Sequence, residues 1–229
     1  MNFTILLKKG GKMKSLISVI QLSIENITQI MDVEKRAFIP TIQITEKNIR
    51  ICLEMNHIFL GAFIGEKLIG TIALRYANFS PNDYENFPKT LKMYAEVPHD
   101  ENPNTAFVHS LGIVPEHRNG YAAKYLIEGA IKKAKEDGMS YIVGDSRCPS
   151  FNGSSEFQQE RVLKNQEIHD AITAHLEGKA PLPDELMLSK DPVLGFYIKN
   201  GAKTLWIIPG FFPEDEPCGQ FVVIQYKEI

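Results

Sequence analysis

The sequence predicts a mixed α/β fold, because segments with β-strand spacing and segments with helical spacing alternate along most of the chain. Residues 58–64 and 67–76 are β-rich runs separated by Gly65 and Glu66, a pattern typical of an antiparallel hairpin. A strand-like segment at 105–114 leads into apolar residues at helical spacing over 122–137. These two observations predict strands and helices that pack together in one core.

The elements in the first half of the chain follow from local patterns. Residues 16–22 are loosely alternating and β-branched, which predicts a strand. Ser23 is a good N-cap residue and Thr45 is another, so each is expected to begin a helix. Residues 78–104 hold neither period for long, which predicts an irregular segment with one helical turn near Leu91.

The second half continues the alternation. A short strand is predicted at 140–146, and a capping-box pattern predicts an unusually polar helix over 155–178. Asp191 followed by proline predicts the start of a further helix, since proline is favoured at the first helical position. Two last strands are predicted at 203–208 and 221–227.

The composition is that of a folded protein, and its charge balance favours small-molecule chemistry over binding of nucleic acid or lipid. The chain of 229 residues is 44% hydrophobic and 23% charged, which excludes intrinsic disorder. Its longest apolar run, at 58–64, is far shorter than the roughly 20 residues that span a bilayer. Lys and Arg total 25 against 28 acidic residues, so no dominant attraction to nucleic acid or anionic lipid is indicated. We therefore expect neither nucleic acid nor membrane as a partner.

The domain limits are predicted from the same features. Residues 1–14 place lysines around a short apolar run, which indicates a disordered extension rather than a signal peptide. No linker divides residues 15–229, so one domain is expected there. The 3 cysteines are far apart, which favours reduced thiols in the cytoplasm over a disulfide framework. Met1 and Met13 are both open as the native start.

The most informative stretch is residues 109–124, His-Ser-Leu-Gly-Ile-Val-Pro-Glu-His-Arg-Asn-Gly-Tyr-Ala-Ala-Lys. It predicts a strand that leads through a glycine turn into a helix, whose N-terminus presents unpaired N–H groups and a partial positive charge. Gly120 with the small Ala122 and Ala123 lets a phosphate approach the backbone. The stretch lacks the residues of a Walker loop and of the three-glycine dinucleotide fingerprint. A pyrophosphate would fit, although a glycine turn alone is more often a plain connection.

At these residues the chain resembles the GNAT superfamily of acyl-CoA-dependent N-acetyltransferases. Residues 113–116, Ile-Val-Pro-Glu, match the family's Val/Ile-x-Pro-Glu phrase. Residues 117–122 match its Arg/Gln-x-x-Gly-x-Gly/Ala phrase, with His117 at the Arg/Gln position. Residues 196–202, Phe-Tyr-Ile-Lys-Asn-Gly-Ala, resemble the family's later Phe-Tyr-x-Lys-x-Gly-Phe phrase. The family's asparagine seven residues before the tyrosine is Lys190 here.

The resemblance implies a fold and a co-substrate. The fold would be a GNAT-like, mostly antiparallel central sheet of about seven strands with a splayed parallel pair, flanked by helices. The co-substrate would be acetyl-CoA, held mainly by backbone amides, with Arg118 meeting phosphate. No metal is expected, because His169 and His175 lack the spacing of zinc ligands. The implied cofactor-binding residues are Leu111, Ile113, Arg118, Asn119, Gly120, Tyr121, Ala122 and Ala123.

The resemblance also implies catalytic roles in a direct attack of an amine on the thioester within a ternary complex. It places Tyr197 at the sulfur of coenzyme A as the acid, the alternative being an ordinary half-buried helix tyrosine. His109 lies where the arylalkylamine branch of the family carries a histidine said to relay the amine proton. The alternative for His109 is a structural histidine. Strand alternation predicts Phe107 and Leu111 on the same face as His109.

A long insertion is predicted at about residues 147–190. It either covers the substrate or is a surface elaboration such as a homodimer contact. Cys148 has no evident partner at a fixed spacing, which favours a structural thiol over a nucleophile. The chain as a whole is predicted to acetylate a primary amine of a small molecule or peptide. The alternatives are a catalytically silent acyl-CoA-binding regulatory module and a partner-binding protein.

Overall fold

The structure is a computed structural model that describes residues 2–5, 8–9, 12–13, 17–97, 100–118, 120–148, 166–211 and 221–229. The chain divides into two compact units. The first unit comprises Met1–Asn78, His99–Ser140 and Ile229, and the second comprises Phe79–Pro98 and Tyr141–Glu228. The extension, the single domain and the insertion predicted from the sequence stay predictions.

The first unit is built on an antiparallel sheet. The strands are β1 Asn2–Ile5, β4 Ile17–Gln21, β5 Ile58–Ile64, β6 Lys67–Ala77 and β7 Thr105–Ile113, paired in that order. A separate small ladder joins β2 Lys8–Lys9 to β3 Lys12–Met13. The predicted hairpin is confirmed as β5 and β6. Gly65 at its turn has a φ of +59°, a left-handed conformation that glycine adopts without steric cost.

Helices cover both faces of this sheet. They are α1 Ile27–Ala37, α2 Glu46–Glu54 and α4 Ala122–Glu136. A Cβ on Gly112 of β7 would come within 2.7 Å of the Phe38 ring, directly after α1. A Cβ on Gly70 of β6 would come within 3.3 Å of Leu126 on α4. Gly70 pairs with Ile113, one position along β7 from Gly112, so α1 and α4 lie on opposite faces of the sheet.

The helix starts follow the predicted caps with one difference. Thr45 is the N-cap of α2, and its side chain accepts from the Asn48 N–H at 3.2 Å. Ser23 forms a capping box with Asn26, but this box closes a 3-10 turn at Ile24–Asn26. Because that turn uses the first apolar residue of the pattern, α1 begins at Ile27.

The second unit holds three antiparallel strands and four short helices among its described residues. The strands are β8 Tyr141–Arg147, β9 Lys203–Pro209 and β10 Phe221–Glu228, with β10 in the middle. The helices are α3 Leu91–Ala95, α5 Gln166–Leu176, α6 Glu185–Leu188 and α7 Pro192–Lys199. The turn predicted near Leu91 is α3, and the helix predicted at Asp191 is α7. The capping box predicted at 155–158 lies outside the described residues.

The described part of the predicted insertion packs into the core of the second unit. Its buried residues form one cluster with residues of α7, β9 and the end of β8, namely Cys148, Ile168, Ile172, Leu188, Leu194 and Ile207. Helix α6 was not predicted, because four residues are too few to show a period. Residues 166–190 are therefore structural at least in part, whether or not the insertion also covers a substrate.

Candidate active site

The segment between β7 and α4 is held in place by Arg118. A 3-10 turn at Pro115–His117 follows β7. The Arg118 guanidinium donates from Nε to the Ile113 carbonyl at 3.2 Å and from Nη2 to the Ala37 carbonyl at 2.9 Å. Ala37 is the last residue of α1, so the cation also meets the negative end of a helix dipole. Arg118 thus ties the loop to β7 and α1, and a contact with phosphate would use its other N–H groups.

Among the described residues, no side chain caps the start of α4. Tyr121 is its N-cap residue and makes no capping hydrogen bond. Within the part of the chain that the structure describes, nothing accepts from the N–H groups of Ala122 and Ala123. Gly120 is exposed, and among the described residues a Cβ there would meet the His117 carbonyl, at 3.3 Å, and nothing else within 4 Å. Unpaired donors beside open space, at the positive end of a helix dipole, form a site that can bind an anion such as a phosphate.

The side chains around this helix start are small, except for Tyr121, whose ring stacks on a neighbouring ring. Ala122 is buried and Ala123 half-buried, so neither blocks the backbone. The Tyr121 ring is 45% exposed and stacks on Tyr125 one turn later, with ring centroids 6.0 Å apart. Asn119, predicted to bind the cofactor, lies outside the described residues.

A β-bulge occurs at His109 in β7. Ser110 pairs with Ala73 and Val108 pairs with Leu74, so His109 is an extra residue in β7. Leu111 pairs with Ile72, and Ile72 points to the opposite face from Ala73. His109 packs on Phe59, which pairs with Ala73, so His109 is on the Ala73 face. The prediction that Leu111 shares a face with His109 is therefore wrong, because the bulge breaks the alternation between the two positions.

His109 contacts a second histidine that the sequence analysis missed. Nε2 of His109 lies 3.2 Å from Nδ1 of His57, and the two rings meet edge to face with centroids 5.0 Å apart. Phe59 packs edge to face on His109 at 6.0 Å. His57 is buried and directly precedes β5, whose first residue pairs with Leu74. This register carries His57 alongside Arg75 of β6.

Burial, followed by the neighbouring charges, keeps His109 neutral. Burial lowers the pKa of His109 well below its usual value, and His57 and the cation of Arg75 lower it further. Arg75 is itself buried, with its guanidinium carbon 6.0 Å from the Phe107 ring centroid. A neutral imidazole has one nitrogen that accepts a proton, so His109 can act as a base in its resting state.

His57 and Arg75 could have been found from the sequence by counting register through the hairpin. Lys67 pairs with Ile64 directly across the Gly65–Glu66 turn. Counting outward from that pair brings residue 57 close to residue 75. Without a bulge this counting would pair residue 57 with residue 74, one position short of Arg75. The difference arises because the hairpin contains a bulge between Ala62 and Phe63, which no residue pattern indicated.

Tyr197 lies on α7 in the second unit. It is half-buried, and its ring meets that of Phe196 edge to face at 5.3 Å. Burial raises the pKa of the Tyr197 phenol, and the negative charge of Asp145 raises it further. The phenol therefore stays protonated at neutral pH and can donate.

Asp145 on β8 is a second titratable group of this unit. Burial raises the pKa of its carboxyl to about 6, while the cation of Arg147 acts in the opposite direction. Cys148 follows β8 and is buried, and its thiol donates to Oδ2 of Asp191 at 3.6 Å. Asp191 caps α7, which matches the structural role predicted for this thiol.

The predicted site residues thus fall into two sets. The first unit holds the predicted residues of β7, the loop and the start of α4, namely His109, Leu111, Ile113, Arg118, Gly120, Tyr121, Ala122 and Ala123. Tyr197 belongs to the second unit, and its role as the acid stays a prediction. Within the described ranges, no three side chains of His, Cys, Asp or Glu gather as a metal site requires. No helix there combines the length and apolarity needed to cross a bilayer.

Comparison with known proteins identifies the family. The model of the acetyltransferase (GNAT) family matches residues 27–148, which is more than half of the chain. The chain belongs to this family. A search of curated proteins finds no match.

Solved structures share the fold. The GphF GNAT-like decarboxylase in complex with isobutyryl-CoA is 20% identical with a TM-score of 0.68, over 92% of this chain and 98% of that one. The loading GNATL domain of CurA from Lyngbya majuscula is 18% identical with a TM-score of 0.68, over 93% and 97%. Arabidopsis thaliana NAA60 in complex with acetyl-CoA is 12% identical with a TM-score of 0.57, over 93% and 98%. These likenesses confirm the predicted mixed α/β GNAT fold class.

Proposed function

We propose that the protein is an N-acetyltransferase that moves the acetyl group of acetyl-CoA to a primary amine of a small molecule or peptide. The observation that carries this proposal is the uncapped start of α4, reached from β7 through the Arg118 loop in a chain of the GNAT family. The N–H groups of Ala122 and Ala123 would bind the diphosphate of coenzyme A, with Arg118, Asn119, Gly120 and Tyr121 in the same loop.

The thioester would be aimed by the backbone of β7. In this proposal Leu111 and Ile113 contribute backbone groups, one of which donates to the carbonyl oxygen as negative charge develops there. The amine attacks the carbonyl carbon directly in a ternary complex. His109 accepts the proton that the amine loses, and Tyr197 donates a proton to the departing thiolate. Both roles agree with the protonation states set by the surroundings, a neutral imidazole and a protonated phenol.

The binding half of the proposal is tested by a matched pair of substitutions at the start of α4. Ala123→Glu places a negative charge beside the proposed diphosphate, whereas Ala123→Gln has nearly the same shape without charge. A carboxylate in the first turn favours the helix, so lost binding would not reflect unfolding. Calorimetry with acetyl-CoA should give affinity at least tenfold lower for the Glu variant than for the Gln variant. Equal affinities, or no binding to the wild type at millimolar acetyl-CoA, would contradict the site.

The catalytic half is tested by release of free thiol from acetyl-CoA. The acceptors are polyamines, aminoglycosides, arylalkylamines and amino acids, each with mass detection of the acetylated product. We expect turnover with at least one amine class and none without acceptor. Tight binding of acetyl-CoA with no turnover across the panel would instead indicate the catalytically silent regulatory module.

A second candidate is the loss of carbon dioxide from a dicarboxylic acyl-CoA. The observation that favours it is the buried cation of Arg75 close to His109, because a cation attracts the carboxylate of such an acyl group. The fold is shared with the GphF GNAT-like decarboxylase. In this reaction malonyl-CoA and a proton give acetyl-CoA and carbon dioxide. Carbon dioxide release from malonyl-CoA without an amine would favour this candidate over the first.

A further inference from the structure

The contact between His57 and His109 has two alternative proton arrangements. A neutral imidazole carries one N–H donor and one accepting nitrogen. At 3.2 Å, either Nδ1 of His57 donates to Nε2 of His109, or Nε2 of His109 donates to Nδ1 of His57. In the first arrangement the proton of His109 sits on Nδ1, which then cannot accept another. In the second the lone pair of His109 is on Nδ1.

The second arrangement leaves the accepting nitrogen available. No residue in the described ranges forms a hydrogen bond with Nδ1 of His109. The charged and titratable groups near the ring come from three directions. His57 precedes β5, Arg75 is on β6, and Cys52 of α2 lies near enough to Arg75 for the cation to act on its pKa. The remaining ring neighbour, Phe59, is apolar.

We propose that His57 is a positioning residue that holds His109 in the tautomer protonated on Nε2, with the accepting lone pair on Nδ1. This inference rests on the proposed function in one respect only, namely that the attacking amine supplies the proton that His109 accepts. When Nδ1 takes the proton of the attacking amine, the new imidazolium still donates from Nε2 to His57. That charge-assisted hydrogen bond stabilises the positive charge that burial and Arg75 oppose.

The tautomer is measured without any substrate. Long-range proton–nitrogen NMR of protein labelled with 15N-histidine distinguishes a protonated from an unprotonated ring nitrogen, and comparison with His109→Gln assigns the His109 signals. We expect Nε2 protonated and Nδ1 unprotonated at pH 7. Protonation on Nδ1 would overturn the proposal.

Two isosteric substitutions then separate positioning from packing. His57→Asn keeps a side-chain oxygen near the place of Nδ1 that accepts from His109, whereas His57→Leu has the same branched shape and no acceptor. We expect the Asn variant to keep the wild-type tautomer and the Leu variant to show a mixture. An unchanged tautomer in the Leu variant would contradict the role of His57. If the Leu variant does not fold, comparison of the Asn variant with the wild type still tests the role of His57. Loss of the wild-type tautomer in the Asn variant would also contradict that role.

Kinetics extend the test to the reaction. With an accepted amine, His57→Leu should lower kcat about tenfold or more with KM for acetyl-CoA unchanged, and His57→Asn should stay within about threefold of the wild type. In a His109→Gln background, His57→Leu should cause no further loss. Equal losses in the Asn and Leu variants would mean that His57 only packs. If the wild type acetylates no amine, the proposed function fails while the NMR result on His57 stands.

Discussion

Two half-buried side chains with opposite pKa shifts define the chemistry available at the residue scale. His109 is neutral because burial, His57 and Arg75 all disfavour its charged form. Tyr197 is protonated because burial and Asp145 disfavour the phenolate. A base that has lost its proton and an acid that has kept one are the two states that amine acylation requires at neutral pH.

Tyr197→Phe should therefore lower turnover while leaving the binding of acetyl-CoA almost unchanged. A general acid contributes about 100-fold or more to the rate, and the phenyl ring preserves the packing against Phe196. The measurement is kcat by thiol release together with Kd for acetyl-CoA by calorimetry. Tyr76→Phe is a matched control, since it removes another half-buried phenol, which donates to Asp137 at 2.6 Å. Similar turnover in the two variants would remove Tyr197 from the mechanism.

At the scale of the element, local signals predicted the helix starts well, and long-range pairing was predicted poorly. Thr45 and Asp191 were identified as caps, because a cap depends on residues within one turn. The bulge at His109 depends on how β7 pairs with β6, a partner more than thirty residues away. His57 was missed for the same reason, since only the sheet brings it to His109.

The same distinction applies to the start of α4. Its glycine turn and small residues were evident from the sequence, and the structure places them at an uncapped helix start. The two carbonyls that Arg118 contacts were not predictable, because Ala37 belongs to α1, far back in the chain. Arg118 was expected from the sequence to meet phosphate, and the structure adds a role in holding the loop.

Helix α7 depends on a buried N-cap that can be tested directly. Oδ1 of Asp191 accepts from the N–H groups of Val193 and Leu194 at 2.8 and 3.0 Å, and Oδ2 accepts from the Cys148 thiol. Asp191→Ala should lower the free energy of unfolding by about 2 kcal/mol, because buried donors lose their partner. Asp191→Asn should cost less, since asparagine is also a good N-cap.

Urea unfolding of the wild type and both Asp191 variants provides the measurement. Cys148→Ala measures the part of the free energy of unfolding that the thiol's hydrogen bond to Asp191 contributes. A loss for Asp191→Ala no larger than that for Asp191→Asn would mean that the cap does not stabilise α7. Tyr197 lies on this helix. If the cap stabilises α7, Asp191→Ala should therefore lower turnover as well as stability.

At the scale of the whole molecule, the pH dependence of stability is governed by buried carboxyls more than by the small net charge. The formal charge is −3 at pH 7, so overall repulsion is weak. Glu34 on α1 is only 3% exposed, and Oε1 of its carboxyl accepts from the Ile44 N–H at 2.8 Å. Burial raises the pKa of Glu34 to about 7, although the backbone hydrogen bond opposes the shift. Asp145 in the other unit is shifted in the same direction.

The protein should therefore lose stability as the pH rises from about 4.5 to 7, and Glu34→Gln should remove much of that loss. The folded state keeps the Glu34 proton that the unfolded chain releases near the ordinary glutamate pKa of 4.5. Stability that is present below that pH is therefore lost as the pH passes 7. The full shift corresponds to about 3 kcal/mol. Glutamine is neutral at every pH and still accepts from Ile44, so the variant should exceed the wild type at pH 8 and match it at pH 4.5. Urea unfolding at both pH values measures this, with the exposed Glu54→Gln as control; parallel pH profiles for Glu34→Gln and the wild type would assign the loss to other groups.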